Sequence, residues 1–474
     1  MASRIETLIR STVEKGIGLV AEHNRARLPD VPNAFLRDQH APMHEERTIA
    51  DLRVTGTIPP ALEGRYLRIG PNPIDPDARG YHWFTGDGMT HALRLQGGRA
   101  RWYRNRWVRS SAVSAALGEP PAPGPRNGFD TVNTNVIGHA GRTWALVEAG
   151  AYPVELSDTL ETIAHDPFGG TLGGSFSAHP HRDPATGELH AICYDARELN
   201  RVWHVVVDAA GTVVRREPVT VEHGPSIHDC AITPNHVLVF DLPVTLSMRA
   251  VIGGHRFPYR WNSKHKARLG LLPRDGAGAD ITWLDVEPCY VFHTANAFED
   301  EAGRVVVDVI AYDTMFGDDG PGPDATTGRL ERWIADPAGT RVSRRVIDAT
   351  PQEFPRHDER ATGLATRWLY TVGLAGTDGF RLTDTRLFRH DLAKGTRVER
   401  DFGPGRHPGE FSFVPRGAHG AEDDGWLIGL VIDMTNETTD LVILNADDFL
   451  GEAQAIVHLP HRVPAGFHGN WIAD

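Results

Sequence analysis

Four of the chain's 24 histidines share a local setting. His179, His228 and His293 each sit in a short apolar, small-residue run with strand character, just before a turn and a second strand. His468 follows an apolar strand-like run and is flanked by Gly466 and Gly469, which strip bulk from the backbone and allow another segment to come close. A lone histidine is more often a surface or hydrogen-bonded residue; the matched settings set these four apart. Imidazole nitrogens bind zinc, copper, iron or nickel. Four neutral imidazoles with no cysteine or carboxylate among them leave an ion its full charge and can leave positions open. That suits a redox metal meeting dioxygen better than a closed structural site.

A ligand histidine normally donates its other ring N–H to an acceptor that fixes the tautomer. Three glutamates stand in otherwise apolar surroundings: Glu148 after a Trp-Ala-Leu-Val run, Glu353 before Phe354, and Glu410 before Phe411. A buried carboxylate without a partner is costly, so these flanks hint at dedicated partners. For any single one, a strand-end glutamate facing water is the commoner outcome.

Residues so far apart must be brought together by the fold. From about residue 50 onward, short apolar runs alternate with turn signals such as 86–88, 97–98, 183–187, 208–211 and 301–303. The 49 glycines and 33 prolines fit many turns and many short strands. Strands alternate with turns rather than long helices, which argues for an all-β chain over a doubly wound sheet. Such a chain closes on itself or stacks sheets to avoid raw edges. A β-propeller with blades of ~40–50 residues would fit about seven blades here, with a sandwich as the runner-up. The histidine intervals of 49, 65 and 175 residues then read as one, one and three blades. In a propeller the first strand of every blade lies beside the axis, so histidines on such strands would converge. No low-complexity linker divides the chain, so residues 1–474 are read as one domain. The run from Gly317 to Asp324 is expected to be a surface loop.

The amino terminus differs. Ile5, Leu8, Ile9, Val13, Ile17 and Val20 recur at helical spacing, predicting an amphipathic helix within about residues 1–30. Packing on the body is the plainer reading of that helix; lying on a membrane surface is the sharper one. The segment Leu246 to Ile252 is a candidate apolar lip. The formal net charge of -13 argues against nucleic acid as a partner. Cys193, Cys230 and Cys289 form no CxxC pair and suggest a reducing compartment with each thiol a small buried apolar group. No run is long enough to span a bilayer and no signal peptide is evident. The expectation is a cytoplasmic protein in peripheral contact with the inner face of the membrane, with no obligate protein partner.

The chain from about residue 50 to its end resembles the carotenoid cleavage oxygenases, a family of non-haem iron enzymes. The resemblance rests on residues 65–73 (RYLRIGPNP), 84–89 (FTGDGM), 177–180 (SAHP), 227–229 (IHD), 353–356 (EFPR), 413–416 (FVPR) and 467–471 (FHGNW). Residues 102–109 (WYRNRWVR) and 133–136 (NTNV) are most similar to bacterial members that cleave carotenoids or apocarotenals. The resemblance implies a seven-bladed propeller capped by a loop-and-helix dome over an axial metal site. It implies Fe(II) held by His179, His228, His293 and His468, with Glu148, Glu353 and Glu410 behind them. It also implies O₂ as co-substrate, a lipophilic polyene as substrate and two carbonyl products, retinal among the types of product expected. Members that cleave stilbenes carry a lysine immediately before the first of those glutamates; here that residue is Val147. An apolar residue there suits a polyene better than a phenol, and Phe292 beside His293 is a second candidate for the substrate tunnel. The alternatives are a stilbene- or lignostilbene-cleaving dioxygenase and a retinoid-ester isomerase of the same family. From other classes, a metal-free binding scaffold and a calcium-dependent propeller hydrolase compete. The hydrolase would need carboxylate and carbonyl ligands where imidazoles stand.

Overall fold

The computed structural model describes residues 16–317, 328–375 and 382–474. The Gly317 to Asp324 loop therefore lies outside the described residues except for Gly317, as does the amino-terminal pattern up to residue 15.

The described residues form seven sheets of four or five strands and one two-stranded ribbon. The sheets are the blades of a seven-bladed β-propeller. Their packing follows from the burial pattern of each strand. Central strands such as Val305–Tyr312 and Gly425–Asp433 are buried along their whole length, because neighbouring blades cover both faces. Outermost strands such as Ser343–Asp348 are largely exposed. The turn predicted at 97–98 joins Gly88–Gln96 to Arg99–Trp107, and both of its glycines adopt positive φ (59° and 67°), as a two-residue hairpin requires. Cys193, Cys230 and Cys289 are free and buried.

Both ends of the described chain close the ring. The last strand, Gly469–Ala473, pairs with Gly64–Pro71 in the first blade, and Arg53–Gly56 pairs with Ala455–Leu459 in the last. The two terminal strands thereby tie the first and last blades into one ring. The glycines around His468 serve this closure. A Cβ on Gly469 would lie 2.8 Å from the Leu67 carbonyl oxygen, and one on Gly466 would lie 2.9 Å from Arg68 Cζ. What comes close is therefore the first blade's own strand, and the Phe467 and Ile69 amides seal the contact with bonds of 3.0 Å to Ile69 O and His468 O.

Above one end of the axis sits a dome of loops and short helices. It includes the turn Trp83–Thr85, the helix Ser111–Leu117, the ribbon Val244–Leu246 with Tyr259–Trp261, and the helix Met248–Ile252. Residues 16–25 are helical. They dock on the 248–254 segment through Asn24 Nδ2 to Ile252 O at 2.7 Å and Arg25 Nε to Gly254 O at 2.9 Å. These bonds hold the end of this stretch against the body. Leu19 and Val20 nevertheless remain 70% and 47% exposed, and Met248 and Ile252 43% and 44%.

Candidate metal centre

Each of the seven blades sends one residue toward the axis. Four send a histidine and three a glutamate. His179 and His228 lie just ahead of the innermost strands His181–Arg182 and Ala231–Ile232. His293 lies within Tyr290–Glu299, and His468 immediately precedes Gly469–Ala473. Glu148 follows the strand Arg142–Leu146, while Glu353 and Glu410 lie on the innermost strands Gln352–Arg356 and Arg406–Pro415. The register of pairing breaks at or beside His293, Glu353 and Glu410, each on a continuous innermost strand. Such a bulge re-aims a side chain that plain alternation would send along the blade. At Glu353 it is accompanied by Phe354 in the left-handed region (φ 54°), with its ring against His293 at 5.6 Å and His468 at 5.4 Å. A non-glycine residue held there stores strain that the surrounding packing must sustain.

One ligand nitrogen from each of the four histidines lies within 4.8 Å of the others. His179 Nε2 is 3.1 Å from His228 Nε2, and His293 Nε2 is 3.1 Å from His468 Nε2. The Nδ1 atoms point outward to carboxylates: His228 to Glu148 at 2.7 Å, His293 to Glu353 at 2.5 Å and His468 to Glu410 at 3.1 Å. A histidine that donates from Nδ1 presents a lone pair at Nε2. Inward lone pairs facing each other at 3.1 Å repel unless a cation lies between them, so the donor set fits a transition-metal ion.

The electrostatics differ from residue to residue: burial lowers His293, but Glu353 lifts it above its ordinary value. Burial alone would raise the Glu410 carboxyl, but His468, Arg356 and the Gly469 N–H bring it down to about 2. Burial also pushes Glu148 up, and His228 pulls it below its ordinary value. Burial and the imidazoles of His468, His228, His293 and His181 hold His179 well below the usual histidine range, so it stays neutral and able to ligate. Among the described residues His179 has no carboxylate behind it.

The segment carrying His179 is held instead through a residue without an assigned role in the sequence. Asp229, next to His228, accepts from Cys230 N at 2.6 Å and His181 Nε2 at 2.8 Å with Oδ1. Its Oδ2 accepts from Thr294 N at 2.7 Å and Thr294 Oγ1 at 2.9 Å. One carboxylate thus ties together the segments carrying His179, His228 and His293. The signal was the acidic residue in the IHD run, but its partners belong to other blades. Asp229→Asn, which turns one acceptor oxygen into a donor, is expected to weaken cobalt(II) binding by roughly 10-fold. A titration following cobalt absorption checks this, and an unchanged affinity would remove the role.

Two cavities meet at the histidines. One, of about 600 Å³, has a polar lining that includes His179, His181, Asp229, Arg356 and Glu410. The other, of about 440 Å³, lies under the dome and is lined by His228 and Glu148 together with Trp83, Phe84, Phe257 and Phe354. Both tunnel candidates, Val147 and Phe292, line this second cavity. His293 and His468 face both.

Residues 40–473 match the family model described as retinal pigment epithelial membrane protein (RPE65). A carotenoid cleavage oxygenase of Mycobacterium tuberculosis (strain H37Rv) is 42% identical over 94% of this chain and 99% of its own length. The crystal structure of cobalt-substituted Synechocystis ACO, an apocarotenoid oxygenase, superposes with a TM-score of 0.82 at 29% identity, covering 91% of this chain and 97% of that one. The lignostilbene dioxygenase of Pseudomonas brassicacearum superposes with a TM-score of 0.84 at 25% identity, covering 94% of this chain and all of the other.

Proposed function

Since the chain belongs to the carotenoid oxygenase family, we propose that it is a non-haem Fe(II) dioxygenase that opens a C=C double bond of a carotenoid or apocarotenoid with O₂. One C=C and one O–O bond break and two C=O bonds form, so both oxygen atoms end in carbonyl products. The observation that carries this reading is the junction of an all-imidazole donor set with an apolar, aromatic-lined cavity.

His179, His228, His293 and His468 would hold ferrous iron, which would supply the redox chemistry that O₂ needs. The protein's own share is positioning and dryness. Phe84, Phe257 and Phe292 form an aromatic wall, with Phe84 5.4 Å from Phe257 and 5.9 Å from Phe292. That wall holds a rod-like polyene by its faces and keeps water away. Val147 offers no charge to a phenolic hydroxyl, and a phenolate buried beside Glu148 would be repelled, which disfavours a stilbene. No side chain is required as a general base, because no proton leaves the substrate.

Iron-loaded protein is to be incubated with β-carotene, an apocarotenal and resveratrol, and the carbonyl products identified. Aldehydes from either polyene are expected. Cleavage of resveratrol alone would replace this reading with the stilbene one.

The substrate class also bears on where the protein works. Leu19, Val20, Met248 and Ile252 leave exposed apolar surface on the 16–25 helix and on the Met248–Ile252 helix, which dock together. No helix of the described residues is long and apolar enough to cross a membrane. This surface is proposed to rest on a lipid bilayer. The L19S/M248S variant is expected to float less with liposomes than the parent; equal flotation would discard the idea.

A further inference from the structure

The cavity under the dome is apolar almost throughout, yet two arginines line it, Arg25 from the 16–25 helix and Arg256 from the 253–258 loop. Building on the polyene-cleaving reading, we propose that Arg25 and Arg256 clamp a carboxylate at the cavity mouth and so select polyenes that end in an acid.

Each guanidinium group has acidic neighbours only at a distance, Glu22 and Asp77 for Arg25 and Asp77 and Asp87 for Arg256. Among the described residues neither makes an ion pair. Asp77, which acts on Arg25 from a distance, is already taken by Arg79 at 3.1 Å. The one carboxylate lining the cavity, Glu148, is committed to His228. Among the described residues Arg25 uses Nε for the Gly254 carbonyl at 2.9 Å and has no protein acceptor for its two terminal nitrogens, and Arg256 has no hydrogen-bond partner. Burial, and then the positive charge of Arg256, depress the Arg25 guanidinium below its ordinary range.

The placement is built rather than incidental. Gly254 has φ of 85°, and a Cβ there would lie 2.6 Å from Arg25 N and 2.7 Å from Ala21 O. The helix therefore docks at this depth only because residue 254 is glycine, and that docking fixes Arg25. Two like charges held at one mouth repel each other, and an anion between them converts the repulsion into attraction. A carboxylate offers two acceptor oxygens to a planar donor fork. Its apolar tail would run past Phe84 and Phe257 toward the histidines. A lipid phosphate shares the anion chemistry. The arginines line the cavity, however, whereas the exposed Leu19 and Val20 of the same helix do not.

The test titrates iron-loaded protein, without oxygen, with three C20 polyenes that differ only in the end group: retinoic acid, retinal and retinol. Quenching of tryptophan fluorescence reports binding, since Trp83 lines the cavity. The acid is expected to bind about 10-fold or more tighter than the alcohol, the size of two charge-assisted hydrogen bonds. In R25Q/R256Q that ratio should fall to about twofold or less, and R25K/R256K should restore part of it. R27Q, which removes an equal charge outside the cavity, should keep the parental ratio. R256Q alone, at an exposed residue, serves if the double variant folds poorly. A ratio near one in the parent, or one that survives R25Q/R256Q, overturns the clamp. So does a double variant that keeps the ratio but loses binding to phosphatidylglycerol vesicles, which assigns the arginines to lipid. If none of the three polyenes binds, it is the polyene-cleaving reading that fails.

Discussion

His293→Ala is expected to release the metal, end turnover and also destabilise the metal-free protein, whereas His179→Ala is expected to do only the first two. Both remove one of four ligand nitrogens that lie within 4.8 Å of each other. The affinity loss should exceed the roughly 10–100-fold typical of losing a hydrogen-bond partner behind a ligand. The two differ in what stands behind the ring. His293 is held by Glu353, which is fully buried, so alanine leaves a carboxylate in the interior without its imidazole. Removing one partner of a buried hydrogen bond to a carboxylate costs about 1–3 kcal/mol. His179 has no carboxylate behind it among the described residues, and its segment is held instead through His181 and Asp229. Alanine at 179 should therefore leave the urea midpoint of the metal-free protein nearly in place. Iron content by mass spectrometry and urea denaturation of the metal-free variants separate these effects. Stoichiometric iron in either variant would contradict the four-histidine assignment, and equal midpoints would contradict the role given to Glu353.

The site's members were legible in the sequence because each kept a local signature. Histidines in apolar strand-like runs, spaced by whole blades, and glutamates with apolar flanks were visible without a fold. Three things were not. The bulges that turn His293, Glu353 and Glu410 toward the axis are breaks of register between strands, and a single strand's sequence carries no register. Which glutamate serves which histidine depends on blade order. Glu148 reaches His228 past the blade of His179, whereas Glu353 and Glu410 serve the adjoining blade. Asp229 and the Arg25–Arg256 pair gain their meaning only from neighbours 48 residues or more away in the chain, such as His181. The propeller could be inferred from turn spacing and closure, but the dome came only through family resemblance, because its short helices of five and seven residues leave too little periodicity to read.

Among the three glutamates, Glu353→Ala should weaken metal binding most and Glu148→Ala least. The ranking follows from how many donors each carboxylate satisfies and how far it is from water. Glu353 is fully buried and accepts from His293 Nδ1 at 2.5 Å, Tyr312 Oη at 3.0 Å and Phe354 N at 2.5 Å. Its removal strands three buried donors, each worth about 1–3 kcal/mol, and frees Phe354, whose left-handed backbone is held by that bond. His293 would then lose both its tautomer and the ring packed against it. Glu410 accepts from His468 Nδ1 and Gly469 N and faces Arg356 at 3.5 Å. Arg356 keeps Glu359 and Asn470, each at 2.8 Å, so less is stranded when Glu410 is lost. Glu148 holds a single donor, His228 Nδ1, while its Oε2 has none. Cobalt(II) affinity is therefore expected to fall by about 100-fold for Glu353→Ala and nearer 10-fold for Glu148→Ala, with Glu410→Ala between them. Glu353→Gln should recover only part of the loss, since an amide keeps one acceptor oxygen where three donors converge. Three equal losses would mean that hydrogen bonding behind the imidazoles does not grade the metal's hold, and that the blades alone set the ligand geometry.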